Sequence, residues 1–242
     1  MQTKFSIILP TYNEGGNIIK LIKEIKNVFK KTNKNFEIIV VDDNSEDNTE
    51  KLVKIFLKKN KFVKFFSRKK FRKNLALSIQ FGISKSKNDN VIWLDADFQH
   101  PPKYIKKFIK KIKTYDVIIY SRYLRFTKKG KSFHDNSTSI LNKFCNKFLF
   151  NDFTDFTSGF ICIKKKCLND FDFNAYYGEY FINLLFHIKL KKYKFIELPF
   201  RESKRYSGYS KTTHSKINYI IKSYFYFLSI FKNLFNKLSI KN

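Results

Sequence analysis

Short, almost unbroken apolar runs alternate with longer amphipathic stretches through the first half of the chain. Residues 5–9, 36–41, 63–66, 91–94 and 117–120 are runs of four to six, rich in Ile, Val and Phe. Runs of that length and composition predict strands buried on both faces. Between them, residues 17–29, 48–56, 74–83 and 103–112 carry apolar side chains three or four apart, the spacing of a helix with one core-facing stripe. Strand–helix alternation predicts right-handed crossovers and a mostly parallel α/β sheet. Ligands of such sheets sit beyond the carboxyl ends of the strands. The first, second and fourth runs end at Pro10, Asp42 and Asp95, and each is followed by a polar cluster.

The second half is less regular. Residues 141–150 and 180–190 read as helices, 160–163 and 195–198 as strands, and the basic stretch 122–131 as a loop. No internal repeat or Gly/Ser-rich linker divides the chain, so its 242 residues imply one sizeable core with a short appendage. The start shows no charged stretch leading into an apolar one, so no secretory leader is expected. Cys145, Cys162 and Cys167 have no metal-like pairing and read as reduced packing residues in a cytosolic setting.

The formal net charge of +29 adds little to this picture. It suits nucleic acid, anionic lipid or phosphate-bearing substrates equally. Lys, Asn, Ile and Phe dominate while Gly and Pro are scarce, a bias that fills solvated faces with lysine irrespective of function.

The strand ends carry the chemistry. Asp95-Ala96-Asp97-Phe98-Gln99-His100-Pro101-Pro102 follows the fourth run directly. Two carboxylates two residues apart at a strand end can turn toward one pocket, and Gln99 adds a third hard oxygen. Such ligands suit Mg²⁺ or Mn²⁺, which keep waters and bind substrate phosphates; the bland alternative is helix capping. Pro10-Thr11-Tyr12-Asn13-Glu14 and Asp42-Asp43-Asn44-Ser45, at the ends of the first two runs, are either turn chemistry or two walls of a nucleotide pocket. In the pocket reading Asp43 accepts from a base N–H, Tyr12 packs beside the base and Glu14 accepts from a ribose hydroxyl.

Taken together these segments resemble the family 2 glycosyltransferases of the GT-A fold, and within them the dolichyl-phosphate mannose synthase group. The resemblance continues through Ser121-Arg122-Tyr123, Asp155-Phe156-Thr157-Ser158-Gly159-Phe160 and Arg205-Tyr206-Ser207-Gly208-Tyr209-Ser210-Lys211, and spans about residues 4–215. It implies a catalytic domain over 1–215 and an appended segment over 216–242. It implies a nucleotide site lined by Pro10, Tyr12, Glu14, Val41 and Asp43, with Asp95 and Ala96 at the donor diphosphate and sugar. It implies a divalent metal (Mg²⁺ or Mn²⁺) on Asp97 and Gln99, and phosphate contacts from Arg122, Arg205 and Lys211. The implied reaction is inverting transfer of a sugar, foremost mannose from GDP-mannose, to a polyprenyl monophosphate. The sequence departs from the family at Lys73-Asn74-Leu75-Ala76, which replaces a glycine-rich turn, and at 133–139, where His134 and Asp135 stand in place of a basic residue. His100 reads as a structural or substrate-lining residue rather than a base.

In the tail, Ile217, Ile221, Tyr224, Leu228, Phe231, Phe235 and Leu238 share one helical stripe, and lysines at 216, 222, 232 and 237 interrupt the segment. Its longest uncharged stretch, residues 223–231, is far short of the roughly 20 residues that span a bilayer. It reads as an amphipathic helix lying in the membrane interface on the cytosolic face, with packing on the domain or on an anchoring partner subunit as the other option. Rival functions are a polyprenyl-phosphate transferase using a UDP-sugar, a family 2 transferase extending a surface glycan, and a basic nucleic-acid-binding protein. The last leaves the acidic strand ends unexplained, so no nucleic-acid partner is expected.

Overall fold

The computed structural model describes residues 3–124, 133–208 and 216–239. Seven strands form a single sheet: β1 (Lys4–Thr11), β2 (Asn35–Asp42), β3 (Val63–Ser67), β4 (Asn90–Trp93), β5 (Val117–Ser121), β6 (Ile161–Lys164) and β7 (Phe195–Pro199). The order across the sheet is β3-β2-β1-β4-β6-β5-β7. All neighbours are parallel except β6, which runs antiparallel between β4 and β5. The apolar runs therefore mark the strands correctly, and the sheet is mostly parallel as expected.

Among the described residues, seven α-helices cover both faces. α1 (Ile18–Thr32), α2 (Thr49–Lys58) and α4 (Ile105–Lys111) lie on one side; α3 (Leu75–Lys85), α5 (Phe133–Phe148), α6 (Tyr180–Leu190) and α7 (Lys216–Ser239) lie on the other. Alternation along the strands sorts the core. Phe5, Ile7 and Leu9 of β1 face the first layer, while Ile8 faces the second. The three cysteines are free and buried within these layers, in keeping with their reading as packing residues.

Two elements differ from the sequence expectation. Helix α5 begins at Phe133, eight residues before the periodic apolar pattern starts at Leu141. The stretch 133–139 is poor in strong helix formers, so its helicity owes more to context than to propensity. The stretch read as helix from 103 opens with a short 3-10 turn, Pro102–Tyr104, before α4. Proline at the first position tolerates that turn because its missing N–H would be unpaired there.

Helix α7 is two-sided. Ser229, Ile230 and Asn233 are buried against the domain. Asn183 of α6 accepts hydrogen bonds from Ser229 Oγ at 2.5 Å and Asn233 Nδ2 at 2.7 Å. Phe225 stacks on Tyr176 with centroids 4.1 Å apart, and the Lys237 ammonium donates to the Phe148 and Leu149 carbonyls at the end of α5. The opposite face leaves Tyr224, Phe227, Leu228, Phe231, Phe235 and Leu238 exposed. One stripe thus packs and the other does not.

Candidate active site

The chain leaves β1 and β2 through paired turns. Asn13 and Asn44 both adopt positive φ (53° and 61°), a conformation asparagine tolerates better than most residues. Asp42 builds the second turn: its carboxylate accepts from the Ser45 N–H (2.9 Å) and Ser45 Oγ (2.6 Å). Tyr12, Glu46 and Lys73 meet at the mouth. The Lys73 ammonium lies 2.8 Å from Tyr12 Oη, 3.0 Å from Glu46 and 4.1 Å from the centre of the Tyr12 ring.

Asp43 sits deeper and is already engaged. Arg68 donates to it at 2.8 Å, and the backbone N–H of Asn74 donates to its other oxygen. Arg68 also reaches the Asn74 carbonyl and Ser78 Oγ, and is 4% exposed, so this is a buried ion pair with its hydrogen bonds filled. Burial pushes the Asp43 carboxyl upward, against the pull of Asn74 and Arg68. Asn74 also caps α3 by accepting from the Leu77 N–H. The departure at Lys73-Asn74 is therefore a built loop locked to Asp43. Val41 is buried beneath α3, with its side chain in the core.

Beyond β4, Phe98 has φ +72°, a strained value for a bulky residue that costs on the order of 1–3 kcal/mol. That turn separates Asp97 from Gln99. Asp97 is buried; one of its oxygens accepts from the Gln99 N–H at 2.9 Å and the other from Arg205 at 2.6 Å. The same Arg205 nitrogen lies 3.2 Å from Gln99 Oε1, and the guanidinium approaches Glu14 at 3.6 Å. Burial, then the charge of Asp95, pushes the Asp97 carboxyl up to about 6. The Asp95 side chain is about half exposed, but crowding by the surrounding protein, and then the Glu14 charge, raise its carboxyl against the pull of Arg205. Ala96 is buried between them.

His100 is enclosed. Its Nδ1 accepts from the Asp95 N–H at 3.1 Å, and its ring stacks on Phe160 at 4.8 Å. Burial lowers its pKa to about 4. It is a neutral structural group that fixes the backbone of Asp95.

Two arginines complete the recess. Arg122, just past β5, grips Asp155 with two parallel bonds of 2.8 and 2.9 Å and reaches Thr157 Oγ1 at 2.7 Å. Burial would raise the fully buried Asp155 carboxyl, but the Arg122 charge and hydrogen bonds outweigh it and hold the group low. Arg205 belongs to a strap, residues 201–208, that crosses the strand ends. The strap is tied by Ser203 N–H to Gln99 O, Tyr206 N–H to Asp97 O, and Asn17 Nδ2 to Ser207 O. A side chain at Gly16 would strike Ser207 Oγ at 2.6 Å, so glycine there permits the close crossing. Lys20 holds its ammonium 3.6 Å from the centre of the Tyr206 ring. Gly208 ends the strap at φ +78°. Lys211 and most of the basic stretch 122–131 lie outside the described residues, as do the side chains of His134 and Asp135.

The site thus gathers Glu14, Asp95, Asp97, Gln99, Arg122 and Arg205 at one sheet edge. Asp97 and Gln99 direct hard oxygens onto one cationic nitrogen, and this donor set fits a divalent ion completed by waters and substrate phosphate. Among the described residues no group of three or more His, Cys, Asp or Glu forms a metal cage. Sequence reasoning missed Arg68, Glu202 and Glu197. The last anchors the Asp155 loop by accepting from Thr154 N–H at 2.9 Å and Thr154 Oγ1 at 2.8 Å.

A mostly parallel α/β sheet with acidic strand ends and facing arginines fits a glycosyltransferase. The glycosyl transferase family 2 profile matches residues 6–171, and the chain belongs to that family. It is 34% identical over 214 residues to a dolichol-phosphate mannosyltransferase of Pyrococcus furiosus, covering 86% of this chain and 59% of that protein's length. It is 31% identical over 189 residues to an uncharacterized protein of Methanocaldococcus jannaschii, covering 73% of this chain and 79% of the relative. Glucosyl-3-phosphoglycerate synthase from Mycobacterium tuberculosis, solved with Mn²⁺, UDP and phosphoglyceric acid, superposes with a TM-score of 0.73 at 15% identity, over 96% of this chain and 78% of that one. That likeness confirms the GT-A fold.

Proposed function

We propose that this chain transfers a sugar from a nucleotide-sugar to a polyprenyl monophosphate, with GDP-mannose as the favoured donor. The observation that carries the reading is the recess itself, where acidic strand ends face two arginines within one site. The name of the Pyrococcus relative supports the acceptor class. Tyr12, Glu14 and the Asp43 loop, with Pro10 and the Val41 backbone, form the nucleotide end, and Asp95 and Ala96 the sugar end. Asp97 and Gln99 would hold a Mg²⁺ or Mn²⁺ ion, which would supply charge neutralisation at the leaving diphosphate. Arg205 and Lys211, with the outer nitrogen of Arg122 that Asp155 leaves unbound, hold the acceptor phosphate. A lipid monophosphate has a second pKa near ~6 and is largely dianionic at neutral pH, so no general base is required. Enclosure of His100 is consistent with that economy.

The second reading keeps the reaction and changes the donor to a UDP-sugar. Its support is the UDP found with the mycobacterial structural relative. The exposed apolar face of α7 supports a peripheral position on the surface of a membrane. Among the described residues no helix is long and apolar enough to cross one. Its aromatic stripe would enter the lipid boundary with Lys232 at headgroup level.

The test combines transfer and sedimentation. Purified protein is offered GDP- and UDP-sugars with a short polyprenyl phosphate, and lipid-linked sugar is measured. Product from GDP-mannose alone is expected; product from UDP-sugars alone transfers the case to the second reading, and none from any donor rejects both. Asp97→Ala should abolish turnover with the circular dichroism spectrum intact. Phe231→Ser combined with Phe235→Ser should reduce co-sedimentation with anionic vesicles. Undiminished co-sedimentation removes the membrane assignment.

A further inference from the structure

The Arg205 guanidinium occupies the point at which the two oxygens proposed as metal ligands converge. One nitrogen is 2.6 Å from Asp97 Oδ2 and 3.2 Å from Gln99 Oε1. A divalent ion binds oxygen at about 2.1 Å and tolerates no nitrogen cation in the same coordination space. Both cations answer the same need, because Asp97 is buried beside Asp95 and Glu14 and requires a positive partner.

Arg205 is also the cation best placed to leave. Its strap is fixed through backbone atoms: Tyr206 N–H bonds the Asp97 carbonyl and Ser203 N–H bonds the Gln99 carbonyl. The Tyr206 ring is held further by Phe98 at 5.5 Å and by the Lys20 ammonium. Side-chain rotation can therefore carry the guanidinium away without opening the strap. Arg122 cannot do the same, since its fork is committed to the buried Asp155. Its outer nitrogen faces Glu202 at 3.9 Å across the recess.

We propose that Arg205 and the divalent ion are alternative occupants of the Asp97–Gln99 oxygen pair, so that metal entering with the donor diphosphate frees Arg205 to bind the acceptor phosphate. The proposal rests on the donor-site reading above and adds an order to it. Before donor binds, Arg205 suppresses metal binding and partly offsets the charge of the acidic recess. With donor bound, the displaced guanidinium becomes a fork presented to the second anion. Metal loading and acceptor-site assembly are then one exchange.

The exchange predicts a gain of affinity on deleting a cation. Binding of Mn²⁺ alone, without nucleotide, is measured by electron paramagnetic resonance for the full chain, Arg205→Ala, Arg205→Gln, Arg205→Lys and Asp97→Ala. Both neutral variants should bind Mn²⁺ about tenfold tighter or more, because the ion no longer displaces a charge-assisted hydrogen bond. Arg205→Lys should fall between them and wild type, and Asp97→Ala should lose the site. Agreement between the Ala and Gln variants guards against a folding artefact in either one. Unchanged or weaker Mn²⁺ binding in both neutral variants overturns the exchange, while loss in Asp97→Ala alone would leave the metal assignment standing. Absence of Mn²⁺ binding by every protein, even with nucleotide diphosphate added, overturns the metal assignment and the exchange together.

Discussion

Arg122 and Arg205 face the same recess, and in the sequence only the Gly208 turn beside Arg205 separates them. Their surroundings differ in kind. Arg122 is built into the fold: its guanidinium pairs with a fully buried Asp155, which also accepts the Arg122 and Thr157 backbone N–H groups. Arg205 is laid across the fold on an exposed strap, and its partners are the groups the chemistry must use. An arginine that satisfies a buried carboxylate positions a site. An arginine that satisfies a metal ligand is available to be exchanged.

The sharpest way to break this contrast is to remove each cation and compare stability with turnover. Arg122→Ala strands Asp155 as an unpaired buried charge, which should cost about 3–5 kcal/mol. Thermal unfolding should move down by on the order of 10 °C for a chain of this size. Arg122→Lys should recover only part of the loss, because an ammonium cannot reproduce the two parallel bonds. A shift within about 2 °C for Arg122→Ala would show that Asp155 does not depend on it, and the division between the two arginines would fail.

Arg205→Ala should give the opposite profile. Turnover should fall about a hundredfold, the scale of one lost charge contact in a transition state. Stability should drop less than for Arg122→Ala, because the Asp97 carboxyl, already pushed up to about 6, can take a proton when its cation is lost, and added Mg²⁺ should restore it. The measurements are initial rates at saturating donor and melting curves with and without the ion. Near-normal turnover would remove Arg205 from the acceptor site. A loss of nucleotide affinity as steep as the loss of turnover would move it to the donor diphosphate.

The two arginines also mark where the sequence stops being informative. Asp97 and Gln99 were legible because they follow an apolar run directly, and strand ends of parallel sheets collect ligands. Arg68 was not, since it stands in Ser67-Arg68-Lys69-Lys70 and resembles the solvated charges that fill this lysine-rich chain. Only the folded arrangement shows it 4% exposed against Asp43. Asp155 was visible as part of a motif, but its grip on Arg122 spans 33 residues and no local pattern encodes it. The run at 160–163 announced a strand without its direction, and β6 enters antiparallel between β4 and β5. The tail's apolar stripe predicted an interfacial or packing helix. The helix packs on the domain through a polar contact of Asn183, Ser229 and Asn233, and its apolar stripe on the other side stays exposed.

The smallest effect concerns Glu197, which lies beneath the Arg122 side of the contrast and does not contact Arg205. Burial pushes its carboxyl from 4.5 up to about 7, although Thr154 and the Asp155 N–H favour the ionised form. The raised value fixes the sign. Between pH 4.5 and 7 the folded protein holds a proton that the unfolded chain has released, so this group's contribution to stability is full below pH 4.5 and is lost as pH rises through 7. Glu197→Gln is neutral throughout and keeps an oxygen for Thr154. The variant should match wild type near pH 4.5 and exceed it at pH 8, by on the order of 2 kcal/mol or about 5 °C in melting temperature. Its gain must fall on the Arg122–Asp155 side alone, because relieving a negative charge beside Asp155 leaves the strap untouched. Mn²⁺ affinity should therefore be unchanged between wild type and Glu197→Gln at pH 8. A variant less stable than wild type at every pH would mean that Glu197 serves Thr154 and Asp155 as an ionised acceptor. A change in Mn²⁺ affinity would mean that the two arginine environments are coupled through the sheet, and that Arg205 does not exchange independently of Arg122.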